Sequence, residues 1–227
     1  MKLLHKSIAE LIGTFALVFA GCGSIMVASR FPESIPPAAI PAVFGLAVAA
    51  MIYAVGHISG AHFNPAVTFA FTLTRHFPIK EAFAYWAMQI VGAFCALFVL
   101  NLILPGGENF GATVPSVSPF QAVIWETILT FFLMFVIISV ATDTRAVGTM
   151  AGAAIGATVM LCAFVGGPVT GASMNPARSL APAFFEHRLD LMWIYLAGPL
   201  TGSAMAAFCY QWIRCGTENQ KNVKGCC

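Results

Sequence analysis

The chain has 227 residues, of which 59% are apolar and only 9% are charged, whereas about 25% of the residues in an ordinary soluble domain are charged. This composition excludes a soluble globular domain and predicts a membrane protein, and the long apolar runs described next predict that it is all-α. The formal net charge of +2 says little by its sign, and we expect no nucleic-acid partner.

Six apolar runs follow one another along the chain, each near the length of about 17 to 25 residues that crosses a bilayer. The first is expected to remain in the mature protein, because it is long for a secretory signal, lacks a small-residue cleavage site and contains the acid Glu10. The six runs cover approximately residues 8–28, 40–56, 82–104, 122–141, 147–165 and 191–213.

The basic residues indicate an orientation in the membrane. Lys and Arg in short loops favour the cytoplasmic side, and an even number of spans returns the chain to the side on which it began. We therefore expect both termini in the cytoplasm. Separately, we expect the membrane to be the plasma (cell inner) membrane. Arg30 and Arg188 then lie outside. The expected cytoplasmic basic residues are Lys2, Lys6, Arg75, Lys80, Arg145, Arg214, Lys221 and Lys224.

The seven cysteines show no metal-ligand spacing, and we expect neither a metal nor a cofactor. Those inside predicted spans are interpreted as small hydrophobic residues packed between helices: Cys22, Cys95, Cys162 and Cys209. The others lie on the expected cytoplasmic side, where disulfides are rare and palmitoylation is an open alternative: Cys215, Cys226 and Cys227.

Two polar triplets interrupt the apolar sequence, Asn64-Pro65-Ala66 and Asn175-Pro176-Ala177. The apolar stretches of residues 64–74 and 175–185 would be about 16 Å long as helices, half of a hydrocarbon core of about 30 Å. Asn is a favoured N-cap and Pro a favoured first helical residue. Each triplet therefore predicts a half-helix that begins near mid-membrane and returns to its own side.

The triplets occupy matching positions in two similar halves of the chain. The segment AELIGTFALVF (9–19) resembles WETILTFFLMF (125–135) and aligns Glu10 with Glu126. Because each half has three spans, the second copy must be inverted, and inverted repeats place their site near the midplane at discontinuous helices. We expect one transmembrane domain, with repeats at about residues 6–104 and 119–213 and a cytoplasmic tail at 214–227.

Two half-helix N-termini that meet in mid-membrane predict a defined chemistry. Each carries about half a positive elementary charge, so their meeting point repels cations and hydronium, while neutral solutes pass. The amides of Asn64 and Asn175 can donate to a passing oxygen while their carbonyls cap the helices. The adjoining extended segments are expected to line the passage with carbonyl oxygens, from Gly60, Ala61, His62, Phe63, Gly171, Ala172, Ser173 and Met174.

The two triplets in inverted three-span halves, with Glu10, Glu126 and Arg178, resemble the aquaporin (major intrinsic protein) family over about residues 6–212. The segments HISGAHFNPAVT and GPVTGASMNPARSL are most similar to the nodulin-like branch and its bacterial relatives. The resemblance implies six transmembrane helices plus two re-entrant half-helices. It also implies a passive channel for small uncharged solutes, no enzyme activity, and a homotetramer with one pore per subunit.

The resemblance further implies a selectivity filter at Phe44, Ala163, Ala172 and Arg178. Strict water channels of the family have His at the position of Ala163. Classical glycerol facilitators have a second aromatic residue, and an Asp directly after the Arg, where this chain has Ser179. The expected opening is wider and less polar than a water filter. It favours water, glycerol and metalloid hydroxides such as arsenous or boric acid, with a mainly water-selective channel as the alternative.

The remaining polar residues of the spans have two interpretations each. Glu10 and Glu126 are interpreted as scaffolds for the re-entrant loops rather than proton-relay acids. His57 and His62 are interpreted as packed side chains, with metal binding or pH sensing as the alternative. Small residues four apart let helices approach closely, and two such pairs are present, Gly152 with Gly156 and Gly198 with Gly202.

Three other classes of function are alternatives to a channel: a secondary transporter, a sealed junction protein and an enzyme. An inverted-repeat secondary transporter needs a titratable or ion-coordinating site at the midplane, and only Glu10 and Glu126 are candidates. A sealed junction protein fits poorly with the small side chains of Ala163 and Ala172. An enzyme is disfavoured because the sequence places no nucleophilic side chain next to a general base at the midplane.

Overall fold

The computed structural model describes residues 1–104, 109–143, 145–146 and 148–214, and these ranges are all-α. Short 3-10 turns, Pro37–Ala39, Gly148–Met150 and Leu189–Leu191, lead into three of the helices. The α-helices of the described residues are α1 (Leu3–Arg30), α2 (Ile40–Ser59), α3 (Pro65–Leu73), α4 (Ile79–Ile103), α5 (Pro119–Thr142), α6 (Ala151–Thr170), α7 (Pro176–Phe185) and α8 (Met192–Ile213).

Six of these helices are long and apolar enough to cross a membrane, α1, α2, α4, α5, α6 and α8, which confirms the predicted spans. Most are longer than predicted, because several continue through polar residues next to their apolar stretches, such as Lys6 of α1 and Glu81 of α4. Since spans alternate in direction, α1 begins and α8 ends on one side, here called the terminal face; the opposite side is the far face. The predicted tail at 214–227 and its three cysteines lie outside the described residues except for Arg214.

The two short helices confirm the predicted half-helices. α3 has 9 residues and α7 has 10, so each is about 15 Å long or slightly less and crosses only half of the hydrocarbon core. Each begins with the proline of its triplet, directly after an Asn N-cap in extended conformation. The missing proline N–H is not needed at this position, which is why the sequence starts a helix here rather than breaking one.

The chain segments that lead into α3 and α7 have the same unusual backbone. Positive φ angles occur at Gly60 (89°), Ala61 (51°) and Phe63 (50°), and at the equivalent positions Gly171 (82°), Ala172 (43°) and Met174 (52°). Non-glycine residues adopt this conformation only where the surroundings impose it. The repeat seen in the sequence therefore extends to the backbone of both re-entrant loops.

Small residues allow the helices to approach closely. α2 and α6, which are equivalent in the two halves, cross at Gly45 and Gly156, where a methyl group on either residue would overlap the carbonyl oxygen of the other. Gly152 lies against the ring of Tyr53, and Gly198 and Gly202 lie against α5, so both predicted glycine pairs act in helix packing.

The cysteines of the spans do not all behave as predicted. Cys22 and Cys162 are buried, and Cys209 is partly buried, as expected for small hydrophobic side chains. Cys95, by contrast, is exposed on α4, so it does not pack between helices of the same chain. Its face of α4 also exposes Val91, Phe98 and Leu102, as a surface toward lipid or another subunit would.

Candidate solute passage between the half-helices

Asn64 and Asn175 join the two half-helices at their N-termini. The Oδ1 of Asn64 accepts from the N–H of Ala66 at 2.8 Å, and the Oδ1 of Asn175 accepts from the N–H of Ala177 at 3.0 Å, which confirms the predicted caps. Each amide nitrogen also donates across the midplane: Asn64 Nδ2 to the carbonyl of Met174 at 2.7 Å, and Asn175 Nδ2 to the carbonyl of Phe63 at 2.9 Å.

This reciprocal pair of bonds was not evident from the sequence. It ties the first half of the chain to the second through two equivalent contacts. An amide group carries two hydrogens, so each Asn uses one to hold the opposite loop and has a second to offer to a solute.

Glu10 holds the first re-entrant loop from inside α1. Its carboxylate, fully buried, accepts from the N–H groups of His62 and Phe63 at 2.9 and 2.6 Å, from Ser59 Oγ at 2.7 Å and from Gln89 Nε2 at 2.8 Å. Four donors around one carboxylate leave no acceptor capacity for an ion in transit, and they fix the backbone at the positive φ angles.

Glu126 does the same for the second loop from inside α5. It accepts from the N–H groups of Ser173 and Met174 at 2.9 and 2.8 Å and from Thr170 Oγ1 at 2.7 Å. Tyr195 donates to the Thr170 carbonyl at 2.7 Å, just as Tyr85 donates to the Ser59 carbonyl at 2.7 Å. The contacts of both acids agree with the scaffold interpretation.

A cavity of about 620 Å³ runs past the Asn pair and extends toward both faces. The two loops, α7 and the segment between α4 and α5 supply its polar lining, whereas α1, α2, α5 and α6 supply apolar side chains. The predicted site residues that line it are Phe44, Ala61, His62, Phe63, Asn64, Ala163, Gly171, Ala172, Ser173, Met174, Asn175 and Arg178.

Five residues that were predicted to form the pore do not line the cavity. Gly60 was expected in the carbonyl ladder, but it ends α2 as a left-handed C-cap and lies away from the cavity. The prolines and alanines of the triplets, Pro65, Ala66, Pro176 and Ala177, form the first turns of α3 and α7 and also lie outside the lining. Ala66 and Ala177 are almost fully buried against the helices, so these four residues shape the half-helices rather than touch a solute.

The apolar lining was missed by sequence reasoning, although a signal for it exists. Phe44, Val48 and Ile52 of α2 face the cavity, as do Ile155, Val159 and Ala163 of α6. Residues four apart lie on one face of a helix, so the residues at steps of four from a filter position also face the cavity. Counting in steps of four from Phe44 along α2 and from Ala163 along α6 predicts these residues.

Arg178 closes the far-face half of the cavity together with Phe44. The guanidinium carbon of Arg178 lies 5.0 Å from the centre of the Phe44 ring, within cation–π distance. Its Nη1 donates to the carbonyl of Gly111 at 2.7 Å. Gly111 belongs to the segment between α4 and α5 and has a φ of 78°, a conformation that glycine adopts without strain.

The two histidines near the first triplet have different surroundings. His62 is buried, its Nδ1 lies 3.0 Å from Thr68 Oγ1, and its ring stacks on Phe71 with 4.9 Å between centroids. His57 is exposed near the end of α2. In the part of the chain that the structure describes, no three His, Cys, Asp or Glu side chains are grouped as metal ligands. The contacts of His62 support the packing interpretation.

Comparison with known proteins agrees with this geometry. Residues 1–210 match the family described as major intrinsic protein. Nodulin-26 of Glycine max is 49% identical over 212 residues, which cover 93% of this chain and 78% of that protein. Aquaporin NIP1-1 of Oryza sativa subsp. japonica is 48% identical over 212 residues, covering 93% of this chain and 75% of its own length.

A solved structure has the same fold. The aquaglyceroporin from Plasmodium falciparum superimposes with a TM-score of 0.84 at 25% identity, over 93% of this chain and 97% of that one. Six membrane-spanning helices, two half-helices joined at their asparagines, and these similarities lead to one conclusion: the chain is an integral membrane protein of the major intrinsic protein family.

Proposed function

We propose that the chain is a passive channel for small uncharged solutes, and that the cavity past Asn64, Asn175 and Arg178 is its pore. The observation that carries this proposal is the meeting of two half-helix N-termini inside a cavity that extends toward both faces. The positive N-terminal ends of both helix dipoles and the positive charge of Arg178 lie beside this cavity. Cations are therefore repelled while neutral molecules are not.

Water, glycerol and small hydroxylated metalloids such as arsenous or boric acid are the proposed solutes. Phe44 and Arg178 are the only large members of the proposed filter, and Ala163 and Ala172 leave room beside them. Glycerol is also supported by the name of the superimposable Plasmodium falciparum protein, an aquaglyceroporin. The polar loops can bind hydroxyl groups, while the apolar stripes of α2 and α6 accommodate a carbon backbone.

The test is solute uptake into proteoliposomes, measured by light scattering for water and glycerol and by elemental analysis for arsenous acid. Ala163→Trp is the matched control, because an indole at this position would fill the space beside Phe44 without touching the scaffold acids. Uptake that rises linearly with solute concentration and does not depend on pH or sodium gradients supports a channel. Accumulation driven by such a gradient would instead indicate a secondary transporter. The absence of all solute flux would indicate a sealed junction protein.

The arrangement of the chain in the membrane is also a proposal. We propose one channel domain with repeats at about residues 6–104 and 119–213, both termini in the cytoplasm of a plasma membrane, and assembly as a homotetramer. α2 exposes Leu46 and Tyr53 by 68% and 54%, which suits contact with lipid or another subunit. Native mass spectrometry tests the assembly, and protease access to tagged termini in sealed vesicles tests the orientation.

A further inference from the structure

The segment between α4 and α5 contributes the carbonyl that holds Arg178, and a carboxylate at the far face holds that segment in turn. Glu186 follows the last residue of α7. Its Oε1 accepts from the N–H of Phe110 at 2.7 Å and from the N–H of Ala112 at 3.0 Å. Between these two residues lies Gly111, whose carbonyl accepts from Arg178.

Glu186 and Arg178 therefore form hydrogen bonds with opposite ends of the same peptide unit. The carbonyl of Gly111 and the N–H of Ala112 belong to one planar trans peptide, in which the two groups point in opposite directions. The carboxylate binds the N–H end and the guanidinium binds the C=O end. Each charge meets the end of the peptide dipole that it favours, and hydrogen bonds in such a chain strengthen one another.

Helix α7 connects the two residues that bind the Gly111–Ala112 peptide, an arrangement here called the clamp. Arg178 lies in its first turn and Glu186 just beyond its last, about 12 Å apart along the axis. We propose that Glu186 is a positioning residue for the filter: it fixes the orientation of the Gly111–Ala112 peptide and thereby the place of the Arg178 guanidinium over Phe44. This inference rests on the proposed function, in which Arg178 limits the size of passing solutes.

The clamp is separable from the fold. The same segment is also attached to α7 through Thr113 Oγ1 and Ser179 Oγ, which are 2.8 Å apart, and through the rings of Phe110 and Phe185, whose centroids are 5.3 Å apart. These contacts remain when Glu186 is replaced. Loss of the carboxylate should free the Gly111–Ala112 peptide to rotate while the segment stays in place.

The test is the ratio of erythritol to glycerol uptake in proteoliposomes, because a misplaced Arg178 should admit a longer polyol. Glu186→Ala removes two hydrogen bonds, and we expect this ratio to rise about threefold or more, because loss of even one such bond changes an equilibrium by about that factor. Glu186→Gln keeps an oxygen that can accept both bonds and should behave like the parent. Asp190→Asn removes a far-face carboxylate that lies 4.0 Å from Arg188 and contacts neither Gly111 nor Arg178, and it should also leave the ratio unchanged.

Arg178→Ala distinguishes failure of the inference from failure of the proposed function. If Arg178→Ala raises the ratio and Glu186→Ala does not, the positioning role is overturned and the filter stands. If Arg178→Ala leaves the ratio unchanged, the size-limiting role of Arg178 and the positioning role of Glu186 are both overturned. The positioning role is also overturned if the double variant Arg178→Ala/Glu186→Ala has a higher ratio than Arg178→Ala alone. The same holds if Glu186→Gln or Asp190→Asn raises the ratio as much as Glu186→Ala does. Should Glu186→Ala not insert, Glu186→Asp, which retracts the carboxylate by about 1.5 Å, is expected to raise the ratio in its place.

Discussion

The Arg178 guanidinium lies over the ring of Phe44, 5.0 Å from its centre, although the two residues belong to opposite halves of the chain. Phe44 comes from α2 and Arg178 from α7. A cation over an aromatic face gains about 0.5 to 2 kcal/mol, more when the pair is desolvated. This contact and the Gly111 carbonyl hold a buried positive charge beside the cavity.

Replacing Arg178 by Ala should weaken the barrier to protons and cations while preserving the flux of water and glycerol. One full positive charge is lost from the cavity, but the two half-helix dipoles remain. A pH-sensitive dye inside proteoliposomes measures the proton leak. Arg188→Ala is the control, because it removes an exposed charge from the far face. A proton leak equal to that of the parent, with normal water flux, would show that Arg178 is not the electrostatic barrier.

Replacing Ala163 by His should convert the channel toward water selectivity. An imidazole facing Phe44 would occupy the space that a three-carbon polyol or a hydroxylated metalloid needs, whereas water can exchange a lost hydrogen bond for one to the ring. Glycerol and arsenous acid uptake should fall steeply and osmotic water permeability modestly or not at all. Ala163→Gly serves as the control. If glycerol uptake is unchanged in the His variant, the wide-filter interpretation is wrong.

Replacing Glu126 by Gln should destabilise the protein by about 1 to 3 kcal/mol, because an NH₂ group would replace one of the oxygens that accept from the loop and leave a buried donor unpaired. Thermal unfolding in detergent measures the effect. Glu81→Gln is the matched control: it breaks the partly exposed ion pair with Lys6, at 2.9 Å, and should cost at most about 1 kcal/mol. Equal losses in the two variants would contradict the scaffold role of Glu126.

Lowering the pH should loosen the terminal face through Asp143. Its carboxylate accepts from Arg145 and, at 3.0 Å, from the hydroxyl of Tyr210 on α8, and these bonds hold the pKa of Asp143 well below its ordinary value of 3.8. A carboxyl group whose pKa is lowered by folding stabilises the folded state at pH values above its ordinary pKa. That stability is lost as the pH falls below 3.8 toward the folded pKa.

The measurement is the unfolding temperature between pH 6 and pH 3 for the parent and for Asp143→Asn. The parent should lose more stability than the variant over the acid part of this range. Parallel curves for the two proteins would mean that Asp143 does not link α5 to α8 in solution.

Much of the architecture followed from local patterns in the sequence. Apolar length predicted the six spans, and the Asn-Pro order predicted both half-helices to within one residue of their observed ends. The inverted repeat predicted that Asn64 and Asn175 would meet. These features depend on neighbouring residues and on the thickness of the bilayer, so they can be inferred without knowing which helices touch.

Contacts between distant segments were decided only by the tertiary structure. The sequence placed Gly60 in the passage, but its left-handed C-cap turns it away. It gave no sign that Asn64 would bind the carbonyl of Met174, or that Glu186 would hold the peptide that positions Arg178. Every residue has a backbone carbonyl and every residue except proline has an N–H group, so the residue type does not show which of these groups will bind a given side chain. Which of them faces a given side chain depends on how the two halves pack.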